Sequence, residues 1–535
     1  MLKFDFLKKR SFRFLFLAVS GFLSGLTTCY TQLGILQWIS IIPAALVAFS
    51  VADDEKNRLR SAYCYGLFFY MTYFMAVWHW FAVMYPLEFT GMDKMTALAV
   101  VVAAVLGLPL VQASTFAFVF VLFAKIKRGR VVSRFPILAP IAFAVLWAIF
   151  EWTQTLFWFG VPWGRLPLGQ TGVLFTLQTA SLFGSYFVTF IIVLVNALLA
   201  YALYRADLRR VCAVSCAAVF AVNAFTGVVL MSLRPTERET AKVAAVQGNI
   251  SSTEKWAGNW WDLTKERYGA LTAEAVAEGA EIVIWPETVV RVPVENKDVF
   301  EWLSDLANDQ NVTLLVGCFS DFGRRNSVVA FGPDGEMSED IYSKRYLVPF
   351  GEFVPMRGII VAILPWLTEI GMLSGDLTPG DSANVLDTEY GTIGSMICFD
   401  SIYEPTALDS AGSGAELIAI ETNDSWFYDS AALWMHEGQA KMRAIETGKY
   451  VVRAANTGVS AIISPKGEVL SELGPLKTGY VAGEVGFIPQ NTLYVYIGNL
   501  FVWLAIAAVV GVISADVTLG ILENRKARNE DSALQ

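Results

Sequence analysis

The chain has 535 residues, 55% of them hydrophobic and only 17% charged, with a formal net charge of -9. Soluble globular proteins lie nearer half apolar and a quarter charged, so the excess points to a membrane protein. The acidic balance excludes a general nucleic-acid binder, which needs a basic face. Two histidines, and six cysteines without paired metal-type spacing, leave almost no material for a zinc site or a Cys–His dyad.

Lys3, Lys8, Lys9, Arg10 and Arg13 precede a long apolar run that a second follows at once, which predicts an uncleaved first span. Apolar segments of roughly 20 residues or more fall near 13–31, 34–52, 62–84, 95–124, 136–153, 172–203 and 211–232, with one more near 493–520. The segment at 95–124 could be split at Gly107-Leu108-Pro109. Taken as one crossing, it puts every basic cluster (Lys56 to Arg60, Lys125 to Arg134, Arg205 to Arg210, Arg525 to Arg528) on the side of the N-terminus. The expectation is a helical bundle of eight transmembrane helices, seven in residues 1–235 and one in 493–535, with both termini cytoplasmic and 236–492 outside. The aromatic, Gly- and Pro-rich stretch at 158–167 reads as an interfacial belt or a lipid-handling loop, and His79 between Trp78 and Trp80 as an interface residue. Glu151, the one clear charge within a span, is expected at an interface.

Beyond Lys242 the pattern alternates strands with helices. Strands are expected at 243–247, 281–287, 312–319, 342–348, 392–398 and 416–420, helices at 260–279, 297–309 and 431–448, and hairpins through Pro333-Asp334-Gly335 and Pro465-Lys466-Gly467. Such alternation predicts a layered α/β domain with a mixed sheet. The apolar stretch 353–373, interrupted by Arg357, Pro365 and Glu369, reads as an arm on the membrane surface or over a site, or as a core helix with a Pro break.

Three residues in this domain carry chemistry. Cys398 follows the apolar run Thr392 to Ile397 and precedes Asp400 and Ser401, possible N-caps, so the thiol sits at a strand–helix elbow. The helix dipole there is expected to lower its pKa and expose a nucleophile. Glu287 closes a strand behind Trp285-Pro286; apolar company would raise its pKa and suit it to proton shuttling. Lys344 is a cation able to stabilise an oxyanion. A Cys318–Cys398 disulfide is conceivable outside the cell, but it would silence the elbow.

The set Trp285-Pro286-Glu287, Lys344 ahead of Leu347-Val348-Pro349-Phe350-Gly351-Glu352, and Cys398 after a strand resembles the carbon–nitrogen hydrolase (nitrilase) superfamily. Joined to the spans, and with 246–250, 423–427, 442–446 and 453–458 also matching, the chain is similar to the bacterial apolipoprotein N-acyltransferases. The resemblance implies a nitrilase-like αββα domain outside the inner membrane, needing no cofactor and no metal. It further implies transfer of an acyl chain from a phospholipid, typically phosphatidylethanolamine, through a Cys398 thioester to the N-terminal amine of diacylated apolipoproteins. Glu287 would be the base, and Lys344 with the Phe399 N–H would hold the oxyanion. Glu352 matches the family's second glutamate, Trp256 and Trp426 match lipid-admitting positions, and a monomer is expected. Phe399 and Asp400 stand where relatives commonly have Tyr and Glu, and Tyr428 stands where they have glycine. His436 falls near the site on a helix face and is given no catalytic role. The competing readings are a membrane-tethered amidase that passes the acyl group to water, and a transporter or scaffold with an inactive domain.

Overall fold

The computed structural model describes residues 9–54, 58–87, 91–156, 160–255, 258–363, 365 and 375–533. The chain forms two compact units, one of residues 1–79, 103–230 and 499–535, the other of 80–102 and 231–498.

Seven apolar helices precede the α/β region: α1 (Arg10–Cys29), α2 (Thr31–Asp53), α3 (Arg58–Val77), α4 (Lys94–Lys127), α5 (Leu138–Thr153), α6 (Ser185–Tyr204) and α7 (Arg209–Ser232). A further helix, Leu500–Ser532, follows it. Six helices among the described residues are long and apolar enough to cross a membrane: α1, α2, α4, α6, α7 and the last. Two of the expected spans therefore fall short of that measure, at α3 and at the 16-residue α5. α4 carries Pro109 inside it and is not split there. The expected span at 172–203 is broken instead, because Gly184 adopts φ +82 and separates short turns from α6. In α1, Gly21 and Gly25 lie one turn apart, and a Cβ on either would collide with Phe69 O or Tyr73 O of α3. Small residues at this spacing let two backbones touch. Glu151 is buried within the protein: it is 2% exposed and accepts hydrogen bonds from Leu166 N at 3.0 Å and Thr189 Oγ1 at 2.6 Å. A buried carboxyl needs such donors.

The second unit contains β1 (Glu239–Gln247), α8 (Trp260–Ala277), β2 (Ile282–Ile284), α9 (Lys297–Gln310), β3 (Thr313–Ser320), β4 (Arg325–Phe331) and β5 (Tyr342–Ser343). β6 (Val385–Thr388), β7 (Gly391–Ile397), α10 (Glu404–Gly412), β8 (Leu417–Thr422), α11 (Ala431–Thr447), β9 (Val451–Ala455), β10 (Ser460–Ile463), β11 (Val469–Leu473) and β12 (Gly479–Phe487) follow. The strands build two six-stranded sheets, ordered β12-β1-β2-β3-β4-β5 and β11-β10-β9-β8-β7-β6. Each has a parallel centre, β1-β2-β3 or β7-β8-β9, with antiparallel strands outside it.

The period-two pattern of β1 shows why the layers form. Ala241, Val243 and Ala245 pack between the sheets against Ile393, Leu417 and Val452, while Ala244 and Val246 face α8 and α9. On the far side α10 and α11 cover Met396, Ile418 and Ile420 through Ala407, Ala440 and Ala444. The order is helices, sheet, sheet, helices, an αββα sandwich.

Two strands are shorter than the sequence pattern suggests. β2 stops at Ile284, so Glu287 lies in the turn beyond it. The strand expected over 342–348 is only Tyr342–Ser343, because the Arg345 and Tyr346 N–H groups turn to the Asp400 carboxylate instead of a neighbouring strand. Of the stretch 353–373, Arg357–Ile363 is helical, while 364 and 366–373 lie outside the described residues.

The turn carrying Glu287 lies against β3 at Gly317, whose carbonyl accepts from Val290 N at 3.2 Å. A Cβ on Gly317 would stand 2.8 Å from both Glu287 Cα and Thr288 N. Gly317→Ala is therefore expected to shift the Glu287 turn by a fraction of an ångström or more. Turnover should drop by up to about a hundredfold while circular dichroism and expression stay unchanged.

Candidate active site

The turns that follow strands of both sheets bring the candidate residues together. Glu287 follows β2, Lys344 follows β5 and Cys398 follows β7. Lys344, 1% exposed, lies between two carboxylates: its Nζ is 2.8 Å from Glu287 Oε1 and 2.9 Å from Glu352 Oε1. Asn326 Nδ2 donates to the same two oxygens, at 2.8 and 3.0 Å. The remaining oxygens take backbone donors, Asn423 N to Glu287 Oε2 at 3.0 Å and Val348 N to Glu352 Oε2 at 2.8 Å.

These contacts set the charges. Burial alone would push Glu287 up, as the sequence suggests, but the Lys344 ammonium and the hydrogen bonds around it bring its carboxyl below the ordinary value. It is an ionised base, not a protonated acid. Burial would also discharge Lys344, yet Glu287 and Glu352 hold it well above its usual range as a permanent cation. Cys398 departs from expectation in the other direction. Burial and the Glu287 charge push its thiol up, against a smaller lowering by Lys344. The segment after the elbow is only a short 3-10 turn, Cys398–Ile402, so little helix dipole opposes the burial. At rest the sulfur is a neutral thiol.

The backbone here is bent into the left-handed region at two ordinary residues, Thr288 at φ +47 and Cys398 at φ +49. Such positions need support from around them. Asp400 supplies part of it. Fully buried, it accepts from Ile397 N at 3.3 Å, Tyr346 N at 2.7 Å, Arg345 N at 3.2 Å and Tyr342 Oη at 2.8 Å, so one carboxylate ties the Lys344 turn to the elbow. Burial pushes its own carboxyl up to about 6. Phe399, half-buried, packs edge-on to Tyr403, which stacks on Tyr346 at 4.1 Å.

The sequence reading missed Asn326 and gave no role to His436, which it placed near the site, or to Arg453. Asn326 has no motif around it and is reached only through the pairing of β3 with β4. His436 places Nε2 at 3.1 Å from Cys398 O and Nδ1 at 2.9 Å from Asp424 Oδ1, and Arg453 Nη2 stands 2.6 Å from Asp424 Oδ2. Ligating atoms of Cys398, Asp424 and His436 lie within 4.8 Å of one another. The set suits no metal ion: Asp424 already serves Thr422, His436 and Arg453, whose guanidinium would repel one. Cys318 and Cys398 are both free thiols. Trp426 is half-buried in the turn Ser425–Phe427, and Trp256 lies outside the described residues.

Residues 242–487 match the carbon–nitrogen hydrolase family, and residues 20–198 match the apolipoprotein N-acyltransferase N-terminal domain. An αββα sandwich with a buried Glu–Lys pair beside a cysteine elbow thus belongs to a carbon–nitrogen hydrolase domain. Three similar proteins are apolipoprotein N-acyltransferases. That of Gloeobacter violaceus is 29% identical over 524 residues, 95% of either chain, and that of Geobacter metallireducens 27% over 518, 94% of this chain and 95% of its own. That of Methylococcus capsulatus is 30% identical over 401 residues, 73% of this chain and 75% of its own. The chain belongs to the apolipoprotein N-acyltransferase family and is an acyltransferase.

Two substitutions read out this neighbourhood. Tyr428 has φ +47 and ψ -143, a conformation natural to glycine. Tyr428→Gly is expected to raise stability by about 1 kcal/mol in chemical denaturation. Glu421, fully buried beside Ser395 Oγ at 3.2 Å, is pushed from 4.5 to about 8, first by burial and then by Glu287 and Asp400. Between those values the unfolded chain ionises this group while the folded chain retains its proton, so stability falls as pH rises. Glu421→Gln removes that loss. Its Tm should exceed the parent's near pH 8, with the difference closing below the lower value.

Proposed function

We propose that this chain transfers an acyl chain from a phospholipid to the α-amino group of a diacylglyceryl-cysteine, by a ping-pong mechanism on Cys398. The observation that carries the reading is the ion pair of Lys344 with Glu287, 2.8 Å apart, both buried within electrostatic reach of the thiol. As the ester carbonyl approaches, Glu287 takes the thiol proton and the sulfur attacks. Lys344 and the Phe399 N–H hold the oxyanion. The lysophospholipid oxygen leaves with the proton from Glu287, and an acyl thioester remains. The lipoprotein amine then attacks, Glu287 receives its proton, the amide forms and the thiol is restored. Because the thiol is pushed up and Glu287 down, proton transfer accompanies attack and does not precede it.

Phosphatidylethanolamine is the proposed donor. The membrane assignment is eight spans, at the six helices named above with α3 and α5, in domains of 1–235 and 493–535. The domain at 236–492 would face the periplasm of a bacterial inner membrane, with both termini cytoplasmic; the alternation of basic loops supports this orientation. One chain supplies Glu287, Lys344 and Cys398, so a monomer suffices. Trp256 and Trp426 are proposed to admit lipid.

Intact mass after incubation with phosphatidylethanolamine tests the chemistry. A fatty-acyl increment on Cys398, removed by neutral hydroxylamine and discharged by a diacylated lipopeptide to an N-acyl product, is expected. Cys398→Ala should show neither adduct nor product while remaining folded. Discharge to water alone would replace the reading with the amidase, and no adduct on folded protein would replace it with an inactive domain.

A further inference from the structure

A small, partly open cleft lies beside Glu287, lined by Lys255, Arg291, Trp260, Tyr268 and Asn456 among others. Its wall holds a charge that the chemistry above does not use. Lys255 is 8% exposed, and its Nζ donates to two neutral acceptors, Thr288 Oγ1 at 2.5 Å and Glu287 O at 3.4 Å. It forms no ion pair among the described residues, although buried charges ordinarily have a counter-charge. Glu287 is its counter-charge only at longer range and is shared with Lys344, which lies directly on the carboxylate. An ammonium has three donors, so one stays available beyond the two bonds. Arg291 adds a second cation at the same wall: its guanidinium lies 5.1 Å over the Trp260 ring, and Nη1 donates to Lys255 O at 2.6 Å. Burial, aided by the Arg291 charge and only partly offset by Glu287, brings Lys255 down to about 8, and a bound anion would oppose both lowering effects.

We infer that Lys255 and Arg291 form an anion subsite that takes the phosphate of the acyl donor, a singly charged phosphodiester. The inference rests on the acyl-transfer reading and adds to it the part of the donor that the Glu–Lys–Cys set does not touch. In a glycerophospholipid the phosphate and the scissile ester share one glycerol. A cation pair on the wall that also carries Glu287 would therefore fix the ester relative to the base. The aromatic faces of Trp260 and Tyr268 suit the apolar glycerol side of the same molecule. Neutral esters would gain nothing from the subsite, so the inference is also one about donor choice.

The test compares two donors on full-length protein in detergent, reading the Cys398 acyl adduct by intact mass. Phosphatidylethanolamine carries the phosphate, and p-nitrophenyl palmitate delivers the same kind of acyl group without one. Lys255→Met is expected to lower kcat/KM for acylation by phosphatidylethanolamine about tenfold to a hundredfold, through KM, which is the size of one lost charge-assisted hydrogen bond. The ester should be affected far less, and Lys255→Arg should recover most of the phospholipid rate. Equal loss with both donors would overturn the inference and make Lys255 a support for the strained Thr288 turn. No loss with either would also overturn it. Inorganic phosphate added to the ester reaction should leave its rate unchanged; acceleration would assign the subsite to a free anion instead of the lipid. Absence of an adduct from both donors on the parent protein is a different result, and it defeats the acyl-transfer reading itself.

Discussion

The site depends on a single buried ammonium held between two carboxylates. Lys344 is almost fully enclosed, and moving a charge of that size out of water costs several kcal/mol unless partners surround it. Glu287 and Glu352 provide the charge, Asn326 donates to the same two oxygens as Lys344, and Asn423 N–H and Val348 N–H satisfy the oxygens that remain. Six groups from four stretches of chain must therefore meet at one point. This requirement explains local features that otherwise look like irregularities. β5 is only two residues long because Lys344 must leave the sheet, and β3 needs glycine at 317 because the Glu287 turn lies on it. The neighbouring thiol feels both signs of this cluster, with Glu287 raising its pKa more than Lys344 lowers it.

A second set of contacts holds the elbow against its own strain. Asp400 draws three backbone N–H groups and a tyrosine hydroxyl together from two segments, so the Lys344 turn and Cys398 move as one piece. From the opposite side the Arg453–Asp424–His436 series ends at the Cys398 carbonyl. The short Asp400 side chain reaches all four donors, and Phe399 packs on Tyr403 without a hydroxyl. These substitutions change what lines the site more than how it is braced.

Much of this was legible in the sequence where neighbours along the chain decide the outcome. The alternation Ala241, Val243, Ala245 against Ala244, Val246 is a direct record of a strand between two apolar layers. Glycine and proline marked the turns, and Cys398 after an unbroken apolar run marked the elbow. What the pattern missed was decided by groups far apart. Nothing near Asn326 indicates that its amide will bridge two carboxylates, and His436 is separated from Cys398 by 38 positions. Apolar character at 344–348 reads as strand, but a carboxylate more than 50 residues away takes its N–H groups. The same limit applied to charge. The apolar residues around Glu287 argued for a raised pKa, and only the position of Lys344 reverses the sign.

The neutral resting state of the half-buried Cys398 has a bearing on survival as well as on turnover. Peroxide and soft electrophiles consume thiolates, and a sulfur kept protonated reacts with them slowly. An exposed, permanently activated cysteine would be spent by such agents before many substrates arrived. Here burial holds the proton on the sulfur, so resistance to such agents comes from the same packing that encloses the Glu287–Lys344 pair.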